Sequence, residues 1–89
     1  MAKRIFKYPV EVARLQIIDM PEGAEILSLQ VQNGVPHIWA LVEDGNKRQS
    51  RRFRVFGTGA EINSPFELKF IGTWQEKEGA FVFHLFEEV

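Results

Sequence analysis

Apolar residues recur with a period close to two along most of this chain, which places alternate side chains on opposite faces of extended backbone. The sharpest instance surrounds Asn33-Gly34. Both residues tolerate positive φ, so the pair is the strongest short hairpin signal a sequence offers. Before it, Leu27, Leu29 and Val31 alternate with Ser28, Gln30 and Gln32 from Glu25 to Gln32, the pattern of a strand with one dry and one wet face. After it, Val35 to Val42 is expected to pair back antiparallel.

The same reading gives further strands. Arg4 to Tyr8 puts Phe6 and Tyr8 on one side, and Arg14 to Met20 forms a second strand, although Val10 to Leu15 could also make one or two turns of helix. Pro21-Glu22-Gly23 is a turn signal. From Gln49 to Phe56, Phe53 and Val55 oppose Arg52, Arg54 and Phe56. Asn63-Ser64-Pro65 opens a strand in which Phe66, Leu68 and Phe70 alternate with Glu67, Lys69 and Ile71, and Glu78-Gly79 turns into the last strand, Ala80 to Phe86. Phe56-Gly57-Thr58 and Ile71-Gly72-Thr73 read as similar turns at strand ends. Six to seven short strands with turn residues between them predict an all-β fold, a small antiparallel β-sandwich or a partly open β-barrel, as one domain over residues 1–89.

Composition limits what such a domain can be. At 89 residues one core is the limit, and 45% apolar residues with eight phenylalanines argue against disorder. The chain has no cysteine, so neither a disulfide framework nor a thiolate metal site is available, and a reducing, cytoplasmic setting fits. No apolar run approaches the ~20 residues that span a bilayer as a helix. A formal net charge of −1 denies the bulk field of a general nucleic-acid binder.

Residues able to carry chemistry are few. His37 and His84 have no spacing that links them as ligands and read as strand histidines, exposed or hydrogen-bonded. Gly57-Thr58-Gly59 lacks the Lys-Ser/Thr and the helix of a phosphate loop and reads as a turn. No cofactor and no metal is expected. The most uneven stretch is Lys47 to Arg54, with Lys47, Arg48, Arg51, Arg52 and Arg54 in eight positions. With Phe56 these residues could hold a phosphate and a base, the chemistry of a nucleotide or single-stranded nucleic-acid site. Alternatively they solvate an edge strand or pair with Glu43, Asp44, Glu67 and the tail Glu87-Glu88.

Two strands are apolar on both faces: Ile38, Ala40 and Val42 oppose Trp39 and Leu41, and Phe81, Phe83 and Leu85 oppose Val82 and Phe86. The second set needs cover from loops, a ligand cleft, a second copy in a homodimer or a protein partner. Trp39, Leu41, Trp74 and Phe86 are the expected anchors of such an aromatic face.

The stretches Gly23 to Pro36, Ile38 to Val42, Phe56-Gly57-Thr58-Gly59, Phe70 to Thr73 and Gly79 to Glu87 resemble, in order, an uncharacterised family of small phage and prophage proteins. The resemblance implies a phage-genome origin and action inside a bacterial host, with no assigned activity or site. His37 and Trp74 depart from the family's residues, and Lys47 to Arg54 falls where the family varies in length and charge, so no functional residue carries over. The resulting expectation is a non-enzymatic accessory binding protein, an inhibitor of host defence being one such case, with nucleotide or single-strand binding as the alternative.

Overall fold

A computed structural model describes all residues, 1–89. Seven strands form: β1 (Lys3–Pro9), β2 (Gln16–Pro21), β3 (Glu25–Gln32), β4 (Val35–Glu43), β5 (Arg48–Gly57), β6 (Leu68–Glu76) and β7 (Phe81–Glu88). They make two antiparallel sheets, ordered β1-β4-β3 and β2-β5-β7-β6, stacked as a sandwich with no closed barrel. Asn33 at φ 52° and Gly34 at φ 79° supply the two positive-φ residues of a type I′ turn between β3 and β4.

Alternation selects the faces of the central strands. Ile38, Ala40 and Val42 point from β4 into the core, where Phe53 and Val55 of β5 and Leu85 of β7 meet them. Met20 closes one end of this core and Val10 another, its N–H donating to the Pro36 carbonyl at 2.9 Å. Trp74 is 4% exposed, packs on Phe83 with ring centroids 5.4 Å apart, and donates from Nε1 to Glu76 Oε2 at 3.0 Å.

Several expectations change. No helix forms over Val10 to Leu15, and β2 starts at Gln16. The Gln16 amide folds back on Glu11, accepting from its N–H at 3.0 Å and donating to its carbonyl at 2.8 Å, so a side chain satisfies the backbone groups a helical turn would have used. In β3, a bulge between Ile26 and Ser28 inserts one residue. Ile26 therefore takes the inward place and Leu27 turns to solvent, 46% exposed, while Leu29 keeps its core contact. Val31, near the hairpin tip, is also exposed. In β6 a second bulge, between Phe70 and Gly72, lies inside the strand, so Ile71-Gly72-Thr73 is no strand end. At Gly72 the two sheets approach closely: a Cβ there would lie 3.0 Å from Leu29 Cβ. Phe66 precedes β6 and stays exposed. The last hairpin turns through a 3-10 segment, Lys77–Gly79, with Lys77, Glu78 and Gly79 all at positive φ.

Candidate functional site

The outer face of the four-stranded sheet carries the densest set of candidate residues. Register places Arg52 beside Ile17, Arg54 beside Phe86, and Phe56 beside His84, while Phe70 of β6 lies opposite Phe86. Phe56, Phe86 and Phe70 form a chain of edge-to-face contacts with centroids 5.7 and 5.4 Å apart. This is the favoured arrangement of aromatic quadrupoles. Phe70 remains 54% exposed and Ile17 58%.

Charge next to this aromatic chain is organised by one carboxylate. Glu88 accepts from Arg52 Nε at 2.8 Å and from Arg54 Nε. The Arg52 hydrogen bond and then that of Arg54 hold its carboxyl below the ordinary value of 4.5, and partial burial opposes them. Two guanidiniums thus share one carboxylate, while Asp19 of β2, accepting from Ser50 Oγ at 2.7 Å, places a second carboxylate on the same face.

His84 sits between Thr58 and Thr73. Its Nε2 lies 2.7 Å from Thr58 Oγ1 and its Nδ1 2.8 Å from Thr73 Oγ1, so hydroxyls occupy both ring nitrogens. Its hydrogen-bonding partners include no carboxylate. His37 is separate, on the other sheet, with Nδ1 2.8 Å from the Val35 carbonyl oxygen. No group of three or more His, Asp or Glu side chains converges to hold a metal ion.

The basic run does not form one patch. Arg48 and Arg54 stand six residues apart on an extended strand, about 20 Å at the usual rise. Lys47, at the far end, lies 3.7 Å from Glu22, and Arg48 is exposed. Arg51 faces the opposite way from Arg52 and is withdrawn from any external anion. Its Nε and Nη2 donate to the two oxygens of Glu87 at 2.6 and 2.8 Å, and Nη1 donates to the Ala24 carbonyl at 2.6 Å. This fork ties β5 to β7 and to the turn before β3, and the Glu87 bond raises the arginine's pKa.

The expected aromatic face is divided between layers. Trp39 and Leu41 are on the outer face of the three-stranded sheet, where Lys7 Nζ sits 5.7 Å from the Trp39 ring centroid and Trp39 Nε1 is buried without a partner. Phe86 is on the outer face of the other sheet. Trp74 belongs to the core, because the bulge before Gly72 turns it inward opposite Phe83, and it is withdrawn as a surface anchor. Two residues that the sequence marks only as strand openings join Arg54 and Phe56 along a recess at the sheet edge: Arg14 and Asn63, both in loops. No periodicity marks loop residues, so only the folded chain brings them there.

Fold and surface together define a small, open, all-β sandwich of three and four strands. The chain belongs to the family described as a domain of unknown function, DUF7352, whose model matches residues 1–89. No curated protein and no solved structure shows significant similarity to it.

Proposed function

We propose that this chain is a non-enzymatic accessory binding protein that docks on a protein partner through the outer face of its four-stranded sheet. The observation that carries the reading is the edge-to-face chain of Phe56, Phe86 and Phe70 on this outer face, the first two half-buried and Phe70 exposed, with Ile17 exposed on the same face. Large aromatics left in water are the usual anchors of protein interfaces, and arginines at their rim suit the same role. The mixed charge of Arg52, Arg54 and Glu88 favours a partner with polar and apolar groups interspersed over a polyanion. The engagement of both His84 nitrogens by threonine hydroxyls supports a role in structure over one in proton transfer.

The sequence resemblance to phage and prophage proteins supports a finer reading. In it the chain works in the bacterial cytoplasm on a host or phage macromolecule, inhibition of host defence being one form of that action.

The test compares wild type with Phe70→Glu. Phe70 is more than half exposed and outside the core, so the substitution is expected to keep the fold and cost about 0.5–1.5 kcal/mol for the lost contact with Phe86. A bacterial protein retained by immobilised wild type and lost by Phe70→Glu would support the reading, and identical sets of bound proteins would overturn it. Light scattering on both proteins identifies the case in which the partner is a second copy: wild type would then be a dimer and Phe70→Glu a monomer of 10.3 kDa.

A further inference from the structure

Strand β2 begins at Gln16, which pairs with Phe53 of β5, but β5 continues for four more residues, Arg54 to Gly57. Those residues pair with β7 on one side and have no strand on the other. The edge of the sheet is therefore notched, and part of the β5 backbone turns hydrogen-bonding groups toward open space instead of toward a neighbour. Two loops wall the notch. The loop entering β2 brings Arg14, and the loop leaving β5 brings Ala60, Glu61 and Asn63, enclosing a recess of about 320 Å³.

The chemistry of the wall is specific. Arg14 makes no ion pair, and Arg54 shares Glu88 with Arg52, so the recess has one free guanidinium and a second only partly neutralised. Guanidinium forks match the oxygens of a phosphate. Phe56 supplies an aromatic ring at the same wall. Glu61 supplies an acceptor, oriented by Asn63 Nδ2 at 3.3 Å, which leaves Asn63 Oδ1 as a second acceptor. A bare anion needs neither acceptors nor a ring. A ligand with a phosphate, a flat aromatic base and donor groups on base or sugar uses all of them.

We infer that this recess binds one nucleotide unit, its phosphate on Arg14 and Arg54, its base against Phe56, and its sugar hydroxyls or base amine on Glu61 and Asn63. The volume sits at the small end of the ~300–1,000 Å³ range of ligand pockets. The flanking loops favour such a compact occupant over an extended peptide strand, which would need the edge open along its length. The same chemistry is available from a free nucleotide and from a nucleotide within a single strand. Although Arg54 and Phe56 also border the aromatic docking face, Arg14, Glu61 and Asn63 lie off it, and the inference does not rest on that docking.

The test is calorimetric titration of the full chain at low and high salt. The probes are the four nucleoside 5′-monophosphates, the matching nucleosides, inorganic phosphate, a 5′-phosphorylated single-stranded hexamer and an acidic hexapeptide. At least one monophosphate is expected to bind, more weakly as salt rises, with its nucleoside and inorganic phosphate each at least tenfold weaker. Arg14→Ala is expected to lower that affinity at least tenfold at an unchanged melting temperature, since Arg14 is an exposed loop residue without an ion pair. Asn63→Ala, equally remote from the core, is expected to weaken nucleotide but not phosphate. A hexamer that binds more tightly than the monophosphate, with a steeper salt slope, assigns the unit to a strand; equal affinity assigns it to free nucleotide. Four results would overturn the inference: no binding by any monophosphate or the hexamer, phosphate as tight as nucleotide, full affinity in Arg14→Ala, or binding of the acidic peptide alone. Phe70→Glu is expected to bind nucleotide normally, so loss of docking and loss of this site are read separately.

Discussion

Glu87 and Glu88 are neighbours in sequence and do opposite jobs, because consecutive residues of a strand point to opposite faces. Glu87, 7% exposed, faces inward and is neutralised by the two-pronged Arg51 fork. Glu88 faces outward and gathers Arg52 and Arg54. Removing one partner of a buried ion pair strands the other charge. Glu87→Ala is therefore expected to lower unfolding free energy by about 3 kcal/mol in urea denaturation, the lower end of the usual range because the Arg51 side chain keeps 17% of its exposure. The outward carboxylates set the acid response. Glu88 is held below its ordinary value first by the Arg52 hydrogen bond, and Asp44 first by the Ala2 backbone N–H and then by Arg4. With both lower in the folded chain, the unfolded chain binds more protons as pH falls past about 4.5. Stability is expected to hold from neutral pH down to about 5 and to decline below that, read as the urea midpoint against pH. Glu88→Gln should flatten the decline.

Both elements that depart from plain alternation do so at a bulge. One extra residue in β3 exchanges Ile26 for Leu27 on the inner face, and one in β6 puts Phe70 outside and Trp74 inside. The bulges belong to the edge strands that approach each other across the sandwich, where Gly72 meets Leu29. A methyl group at position 72 would be forced against Leu29, so Gly72→Ala is expected to cost about 1–3 kcal/mol through displacement of β6 from β3. Leu29→Ala removes the Cδ2 at 3.1 Å but keeps the Cβ, so in that background Gly72→Ala is expected to cost less without becoming neutral, as a double-mutant cycle would measure. The β3–β4 hairpin shows the opposite case: its two-residue turn needs positive φ twice, and Asn33-Gly34 meets that need locally.

At the scale of the molecule the sandwich is thin and wide. Its Cα trace measures 42 × 33 × 15 Å, the thickness of two stacked sheets and no more. Its accessible surface of 5858 Å² exceeds the roughly 5,400 Å² that size scaling gives for 10.3 kDa. The surplus is partly apolar, with Ile5, Ile17, Phe70 and Phe81 among the exposed side chains. A single core layer lies between the two sheets, and the two tryptophans report on different places relative to it. Trp74 is sealed between sheets and Trp39 borders solvent under Lys7. In Trp39→Phe the remaining emission is expected to be blue-shifted and resistant to acrylamide, whereas Trp74→Ala is expected to cost about 3–5 kcal/mol by emptying the core. Red-shifted, quenchable emission from Trp74 would contradict this layering.

How much of this was legible beforehand follows from the range of the forces. Strand identity, the Asn33-Gly34 turn, the inward set Ile38, Ala40, Val42, Phe53 and Val55, and the shared face of Arg52, Arg54 and Phe56 were readable, because a period of two and turn φ angles are local properties of the backbone. The bulges were not, since an extra residue is inserted only when cross-strand register demands it. For the same reason Trp74 looked like a surface anchor. The pairing of Glu87 with Arg51 and of Glu88 with Arg52 and Arg54 follows from β7 lying beside β5, a neighbour relation across some thirty residues. Sequence alone determined the kind of element and which side chains alternate within it. Tertiary structure decided which residues the bulges carried inward, where the sheet edge stopped short, and that Arg14 and Asn63 meet Arg54 and Phe56, because those are contacts between segments that no local pattern connects.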